Sequence, residues 1–267
     1  MDDRDLEMSD VLDEALAVVQ KASKFILGQV DQFSADDIEV KELNSLVSYV
    51  DKEAEDIFVK GMAEIIDGAG FVTEEDTKDR EGDEYTWVID PLDGTTNFLN
   101  RIPHFAVSVG LRRGGEVIMG IVKEVTSGEE WTAIKGQGAR LDGQPIKVSS
   151  KPFANVTIAT GFPYANDGDY DAKFEIIKHW LTHTYGMRRM GSAALDLCYV
   201  ASGRLGAYHE DDLNPWDVAA GTLIVTEAGG IVSDFEGGDT HLDGKQIIAS
   251  APHFYDEVLQ VIKHNYK

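Results

Sequence analysis

Residues Trp87–Asn100 read WVIDPLDGTTNFLN. Trp87 to Asp90 have a strand's apolar character and run into a turn that carries a second acid, Asp93, followed by Gly94 and two threonines. Two carboxylates this close at the end of an apolar strand raise each other's proton affinity and cost stability unless something cationic lies between them. A divalent metal answers that need, and its other ligands must then come from elsewhere in the chain.

Upstream, apolar residues recur at Met8, Leu12, Ala15, Leu16, Val19, Ala22 and Ile26, the period of an amphipathic helix from Leu6 to about Val30. Val50, Ala54, Ile57, Phe58, Met62, Ile65 and Ile66 mark a second helix that stops near Gly68 and Gly70. Phe71–Thr73 reads as a short strand opening onto Glu74, Glu75 and Asp76. Downstream, FAVSVGLR, EVIMGIVKEV and EEWTAI are strand-like runs separated by Gly-Gly, Ser-Gly and KGQGARLDGQP, which are turn signals.

Beyond Lys151-Pro152 the texture alternates. VTIATG is a strand, Asp169–His183 a helix, GMRRM a short strand and Ser192–Ser202 a helix. LGAYH is a strand, Trp216–Ala228 a helix, GIVSD and QIIAS are strands, and His253–Asn265 is a terminal helix. Helices layered on sheets in both halves predict a mixed α/β sandwich. The division falls near residue 150, giving an N-terminal α+β lobe (1–150) and a C-terminal α/β lobe (151–267).

The chain of 267 residues has 48 acids against 24 bases, a formal charge of -24. That field repels nucleic acid and anionic membranes, so neither is expected as a partner. It repels a phosphate substrate too, so an anion site here needs bound cations to reverse the local sign. A single cysteine, Cys198 in ALDLCYV, rules out an internal disulfide and reads as packing. No stretch approaches a transmembrane span, and the amino terminus is acidic rather than signal-like, so the expected location is the cytoplasm.

The turn PLDGT resembles the DxDGT motif of haloacid-dehalogenase-type phosphatases, but Pro91 stands where their nucleophilic Asp would be, and proline cannot attack phosphorus. The acids must work without a covalent nucleophile. Glu74 and Glu75 follow one strand; Asp90 and Asp93 follow another and begin a predicted helix; Asp217 opens a helix that Pro215 helps to initiate. Hard oxygen ligands select Mg2+ or Mn2+ over zinc. Asp51, Thr95 and Asp217 also sit where helix caps and acidic first turns are favoured, so capping and chemistry both remain open for them. Arg188 and Arg189 read as anion binders or, more readily, as partners of surface acids, and His104, His179 and His209 as surface or packing residues.

WVIDPLDGTTNFLN together with NPWDVAAGTLIVTEAGG, VSYVDKEAED, FVTEED and RRMGSAALDLCYVASGRLGAY resembles, in order and over nearly the whole chain, the inositol monophosphatase family, in the wider superfamily with fructose-1,6-bisphosphatase. The resemblance implies a layered αβαβα sandwich and a homodimer. It implies metal ligands at Glu74, Asp90, Asp93, Asp217 and the Leu92 carbonyl, holding two to three Mg2+, with Mn2+ able to substitute. Four carboxylates carry about -4 and a phosphate monoester about -2, which two Mg2+ leave negative and three neutralise.

Under the same resemblance, Thr95 orients and deprotonates a water through Asp51, with Glu75 supporting the water shell. The Gly94 and Thr95 amides hold phosphate oxygens. Gly191, Ser192, Ala193, Glu210 and Asp217 contact the substrate, Glu210 accepting hydrogen bonds from ring hydroxyls. DPLDGTTNF is closer to the inositol branch than to the nucleotide branch's DPLDGTKEF, so the expected activity is lithium-sensitive hydrolysis of inositol 1-phosphate. The alternatives are fructose 1,6-bisphosphate, NADP, histidinol phosphate or 3′-phosphoadenosine 5′-phosphate as substrate, or a lapsed phosphatase acting as a metal-dependent binding protein. Where the family commonly has glycine before the paired glutamates this chain has Thr73, which can continue a strand and disfavours a positive-φ turn.

Overall fold

A computed structural model of the chain describes residues 7–32, 38–42, 45–75, 82, 84–162, 170–243 and 245–266. Two long helices, α1 (Met8–Gln29) and α2 (Tyr49–Ile65), flank a hairpin of β1 (Ile38–Glu42) and β2 (Ser45–Ser48) that the periodicity did not reveal. A seven-stranded sheet follows, in the order of the chain: β3 (Gly70–Thr73), β4 (Tyr85–Asp93), β5 (Ala106–Arg113), β6 (Glu116–Glu124), β7 (Glu130–Ile134), β8 (Ala139–Leu141) and β9 (Gln144–Pro145). β3 runs parallel to β4, and the other pairs are antiparallel.

The second sheet has five strands in the order β11 (Gly186–Arg188), β10 (Thr157–Thr160), β12 (Ala207–Asp211), β14 (Gln246–Ser250) and β13 (Ile231–Ser233). Its helices are α4 (Tyr170–His183), α5 (Ala193–Ala201), α6 (Pro215–Glu227) and α7 (Tyr255–Asn265), while a short α3 (Thr95–Leu99) belongs to the first half. The expected terminal helix begins two residues late, after a 3-10 turn at Pro252–Phe254. Asp169, expected to open α4, lies outside the described residues, as does most of the polar insert 77–85.

Strand alternation builds the layers. On β4 the side chains of Trp87 and Ile89 join Val107, Val109, Met119 and Ile121 beneath α1 and α2, while Val88 turns to the opposite face. On β12 Ala207 packs toward α4 and α7, and Tyr208 faces α5 and α6. The result is an αβαβα sandwich with α5 and α6 as the central layer. Being covered by a sheet on each side, α6 is apolar around its whole circumference, with Val218, Ala219, Ala220, Leu223, Ile224 and Val225 all buried.

Two glycines decide how low α6 sits. Gly110 and Gly120 face each other across β5 and β6. A methyl group on Gly120 would lie 2.7 Å from the Ala220 carbonyl oxygen, so the helix rests directly on the sheet backbone. That contact brings the start of α6 to the ends of β4 and β5, where Ser108 Oγ donates to the Trp216 carbonyl at 3.4 Å.

Candidate metal and phosphate site

The acids of the DPLD turn do not begin a helix, as the sequence suggested; both lie within β4. Asp90 pairs with Ser108 and Asp93 with Ala106, so three steps on β4 match two on β5. This bulge has a stereochemical consequence. In a regular strand residues three apart point to opposite faces, and one extra residue returns them to the same face. Pro91 suits the bulge because it has no ladder N–H to lose. Gly94 then takes φ 91°, where a Cβ would also meet the His104 and Gly191 carbonyl oxygens at 3.1 and 3.2 Å.

Parallel pairing of β3 with β4 sets Thr73 opposite Ile89, which delivers Glu74 beside Asp90. Thr73 is fully buried and ends the strand without positive φ, so its β-branched side chain meets no backbone conflict here. Asp217 arrives on α6 from the far side of the bulge; one of its oxygens accepts the Asn214 N–H at 2.6 Å and so also caps the helix. The capping and ligand readings of Asp217 are therefore compatible.

The electrostatics record the convergence. Burial, then the charges of Glu74, Asp93 and Asp217, push Asp90 well above the ordinary carboxylate range. Burial and the Asp93 charge push Asp217 up to about 8. Burial raises Asp93 to about 6 against hydrogen bonds that lower it, from Ser192 Oγ at 2.6 Å and the Ala194 N–H at 2.8 Å. The four acids thus share one field. Among the described residues they do not close into a ready ligand cage.

An all-oxygen donor set in which desolvation raises Asp90, Asp93 and Asp217, and like charge adds to it at Asp90 and Asp217, fits a hard divalent cation and not a soft one. The Leu92 carbonyl belongs to the same turn and accepts from Thr95 Oγ1 at 3.0 Å. Thr95 Oγ1 also lies 3.1 Å from Asp51 Oδ1, with Asp51 buried in the first turn of α2. Two acceptors compete there for one hydroxyl hydrogen. The short helix α3 that Thr95 opens has five residues, so its Gly94 and Thr95 amides can act only as local donors without a sizeable macrodipole.

The segment Gly191, Ser192, Ala193 serves Asp93 directly. Ser192 caps α5 by accepting the Leu195 N–H and also donates to Asp93. Asn97, at the end of the bulge segment, ties it in place by donating to the His104 and Met190 carbonyls at 2.7 and 2.9 Å. Glu210, on β12, is raised to about 7 by burial, while the Tyr208 hydroxyl, 2.5 Å from its Oε2, and Arg189 pull it down.

Three participants were not legible in the sequence. Glu55, fully buried one turn beyond Asp51 on α2, accepts the Glu75 N–H at 2.9 Å. Asp196 on α5 is 1% exposed and carries an oxygen with no hydrogen-bond partner; burial and the charges of Glu210 and Asp93 raise it well above the usual range. Arg189, read as a partner of surface acids, instead faces Asp196 and Glu210 and lowers both. The i, i+4 spacing of Asp51 and Glu55 on an otherwise apolar helix face was the one available signal.

The histidines behave as packing groups. His209 accepts from Trp180 Nε1 at 3.0 Å and is held near pKa 3 by burial and by Lys173; His179 stacks on His183. Cys198 is buried on α5. No described helix is long and apolar enough to cross a membrane. A cavity of about 530 Å³ between Gln137–Arg140, Pro145–Ser150 and the end of α6 contains none of the site acids. Converging charge, rather than cavity size, identifies the site.

The model of the inositol monophosphatase family matches residues 7–265. A curated relative, the Nus factor SuhB of Pasteurella multocida, is 36% identical over 260 residues, spanning 96% of this chain and 97% of its own. Among solved structures, the extragenic suppressor protein suhB of Bartonella henselae superposes with a TM-score of 0.89 at 34% identity, over 95% of this chain and 98% of that one. The IMPase of Thermotoga maritima does so with 0.87 at 30%, over 96% and 98%.

Proposed function

The chain belongs to the inositol monophosphatase family, and from that membership we propose that it hydrolyses a small phosphate monoester, inositol 1-phosphate first, by direct attack of a water. One observation carries the reading: Glu74, Asp90 and Asp93, from the ends of two neighbouring strands of the first sheet, and Asp217, from α6, converge so that their charges raise the proton affinity of Asp90 and Asp217. Those residues and the Leu92 carbonyl would hold Mg2+. Bound Mg2+ supplies the positive charge that seats a phosphate, lowers the pKa of a water and stabilises the leaving oxygen.

The chain's own groups do the rest. With the Leu92 carbonyl engaged elsewhere, the Thr95 hydrogen goes to Asp51, and a Thr95 lone pair is then free to accept from the attacking water. Ser192 and the Ala194 N–H fix the direction of Asp93. The Gly94 and Thr95 amides offer local donors to phosphate oxygens. Glu75, its backbone held by Glu55, would support the water shell of a bound ion, and Glu210 would accept from ring hydroxyls. We also propose the two lobes 1–150 and 151–267, since the first sheet ends at Pro145 and the second starts at Thr157.

The test is phosphate release with Mg2+ over inositol 1-phosphate, fructose 1,6-bisphosphate, NADP, histidinol phosphate and 3′-phosphoadenosine 5′-phosphate. Turnover of inositol 1-phosphate, inhibited by lithium at limiting Mg2+, is expected; no release from any ester sinks the reading. A second reading rests on the name Nus factor carried by relatives such as that of Pasteurella multocida: a transcription-linked binding role for this fold. Failure of the whole panel with retained Mg2+ binding would favour it.

A further inference from the structure

Gly161 follows β10, and the parallel register that sets Thr160 beside His209 places Gly161 next to Glu210 on β12. The Glu210 carboxylate lies flat against the Gly161 α-carbon: a Cβ there would sit 1.8 to 2.0 Å from Oε1, Cδ and Oε2. Gly161 has no positive φ, unlike Gly94 or Gly191. Its lack of a side chain therefore answers to the carboxylate above it and not to the backbone. On the other side the fully buried Tyr208, two residues along β12, holds Glu210 Oε2 through its hydroxyl at 2.5 Å.

We propose that Gly161 and Tyr208 are the specificity-determining positioning residues of this site, one supplying the floor and the other the clamp that hold the Glu210 carboxylate where it accepts the hydroxyls of a polyol phosphate. This rests on the phosphatase reading above and deepens it by assigning the choice of substrate. A carboxylate held on one oxygen by Tyr208 and pressed onto a glycine has a fixed direction for its remaining lone pairs. A ring with hydroxyls at that direction gains a charge-assisted bond, and an ester without them gains nothing. The three heavy atoms nearest a methyl at position 161 all belong to the far end of the Glu210 side chain, so that end must shift and the seat moves with it. Removing the Tyr208 hydroxyl frees the carboxylate to rotate.

The experiment compares kcat and KM for inositol 1-phosphate and for p-nitrophenyl phosphate, which has no ring hydroxyls, in the wild type, Gly161→Ala and Tyr208→Phe, and in each of these combined with Glu210→Ala. The specificity ratio, kcat/KM for inositol 1-phosphate over that for p-nitrophenyl phosphate, should fall about tenfold in each single variant, mainly through KM, as expected for one lost charged hydrogen bond. In the Glu210→Ala background neither substitution should lower the ratio further. Equal losses on both esters, an unchanged ratio, or full additivity with Glu210→Ala would each overturn the assignment. A wild type that cleaves neither ester overturns the phosphatase reading itself, an outcome distinct from an active enzyme whose variants fail to discriminate. Should Gly161→Ala not fold, Tyr208→Phe and its double variant decide alone.

Discussion

Glu75 gives its backbone N–H to the carboxylate of Glu55, 2.9 Å away and fully buried on α2. The same helix face presents Asp51 to Thr95 one turn earlier. A single rigid element thereby sets both the turn that carries Glu74 and the hydroxyl beside the Leu92 carbonyl. Glu55→Ala removes the acceptor of this half-buried N–H and should cost about 1 kcal/mol in urea denaturation. It should also raise the Mg2+ concentration needed for half-maximal activity. Unchanged Mg2+ dependence would reduce Glu55 to a stability role.

Thr95 acts through its hydroxyl, not its methyl. Thr95→Ser should keep kcat within about threefold, whereas Thr95→Ala should lose about 100-fold with little change in melting temperature. Equal effects of the two substitutions would assign Thr95 to helix capping. Asp93→Asn should be nearly inactive while remaining folded, because the Ser192 and Ala194 donors still find an oxygen.

Cation-free protein should respond to pH in a defined direction. Asp217 is raised to about 8 and Asp93 to about 6, above the ordinary carboxylate value. The fold therefore holds these protons more tightly than the unfolded chain does. That contribution to stability is complete below about pH 4 and is lost as pH climbs through the folded values. In chelator, the melting temperature should fall between pH 6 and pH 8. Added Mg2+ should raise it more at pH 8 than at pH 6, since ionised acids bind the ion. A Mg2+ response that is flat with pH would contradict the shared pocket.

His209 has the opposite sign. Burial holds it near 3, so it favours the fold above the unfolded histidine value of about 6.5 and loses that contribution as pH falls. Relative to His209→Gln, the wild type should lose about 2 kcal/mol on going from pH 6.5 to pH 5 in denaturant melts. A constant gap would mean that the ring accepts its proton inside the fold.

Gly120 sits against backbone, with the Ala220 carbonyl oxygen 2.7 Å from where a Cβ would be. Gly120→Ala must lift α6, and with it Asp217, from the sheet. It should cost about 1–3 kcal/mol and lower activity, measured by denaturation and phosphate release. Gly110→Ala, whose nearest neighbour would be the Ala219 methyl at 3.2 Å, should cost less.

Apolar period and turn chemistry determined most of this protein from the sequence alone. The helices at Met8–Gln29 and Tyr49–Ile65, the strands from Phe71 onward and the alternation beyond Thr157 carry strong local signals. The acid-bearing motifs likewise announced a cation through charge spacing. Tertiary structure decided what local pattern cannot encode. The bulge at Pro91-Leu92, which brings Asp90 and Asp93 to one face, is a register mismatch with β5 and exists only once two strands pair. Glu55, Asp196 and Arg189 acquire their roles from groups 14 to 103 residues distant, as Glu75, Glu210 and Asp93 come within reach. Local propensity reads neighbours along the chain, whereas burial and charge are felt across space, and the site is made of the second kind of interaction.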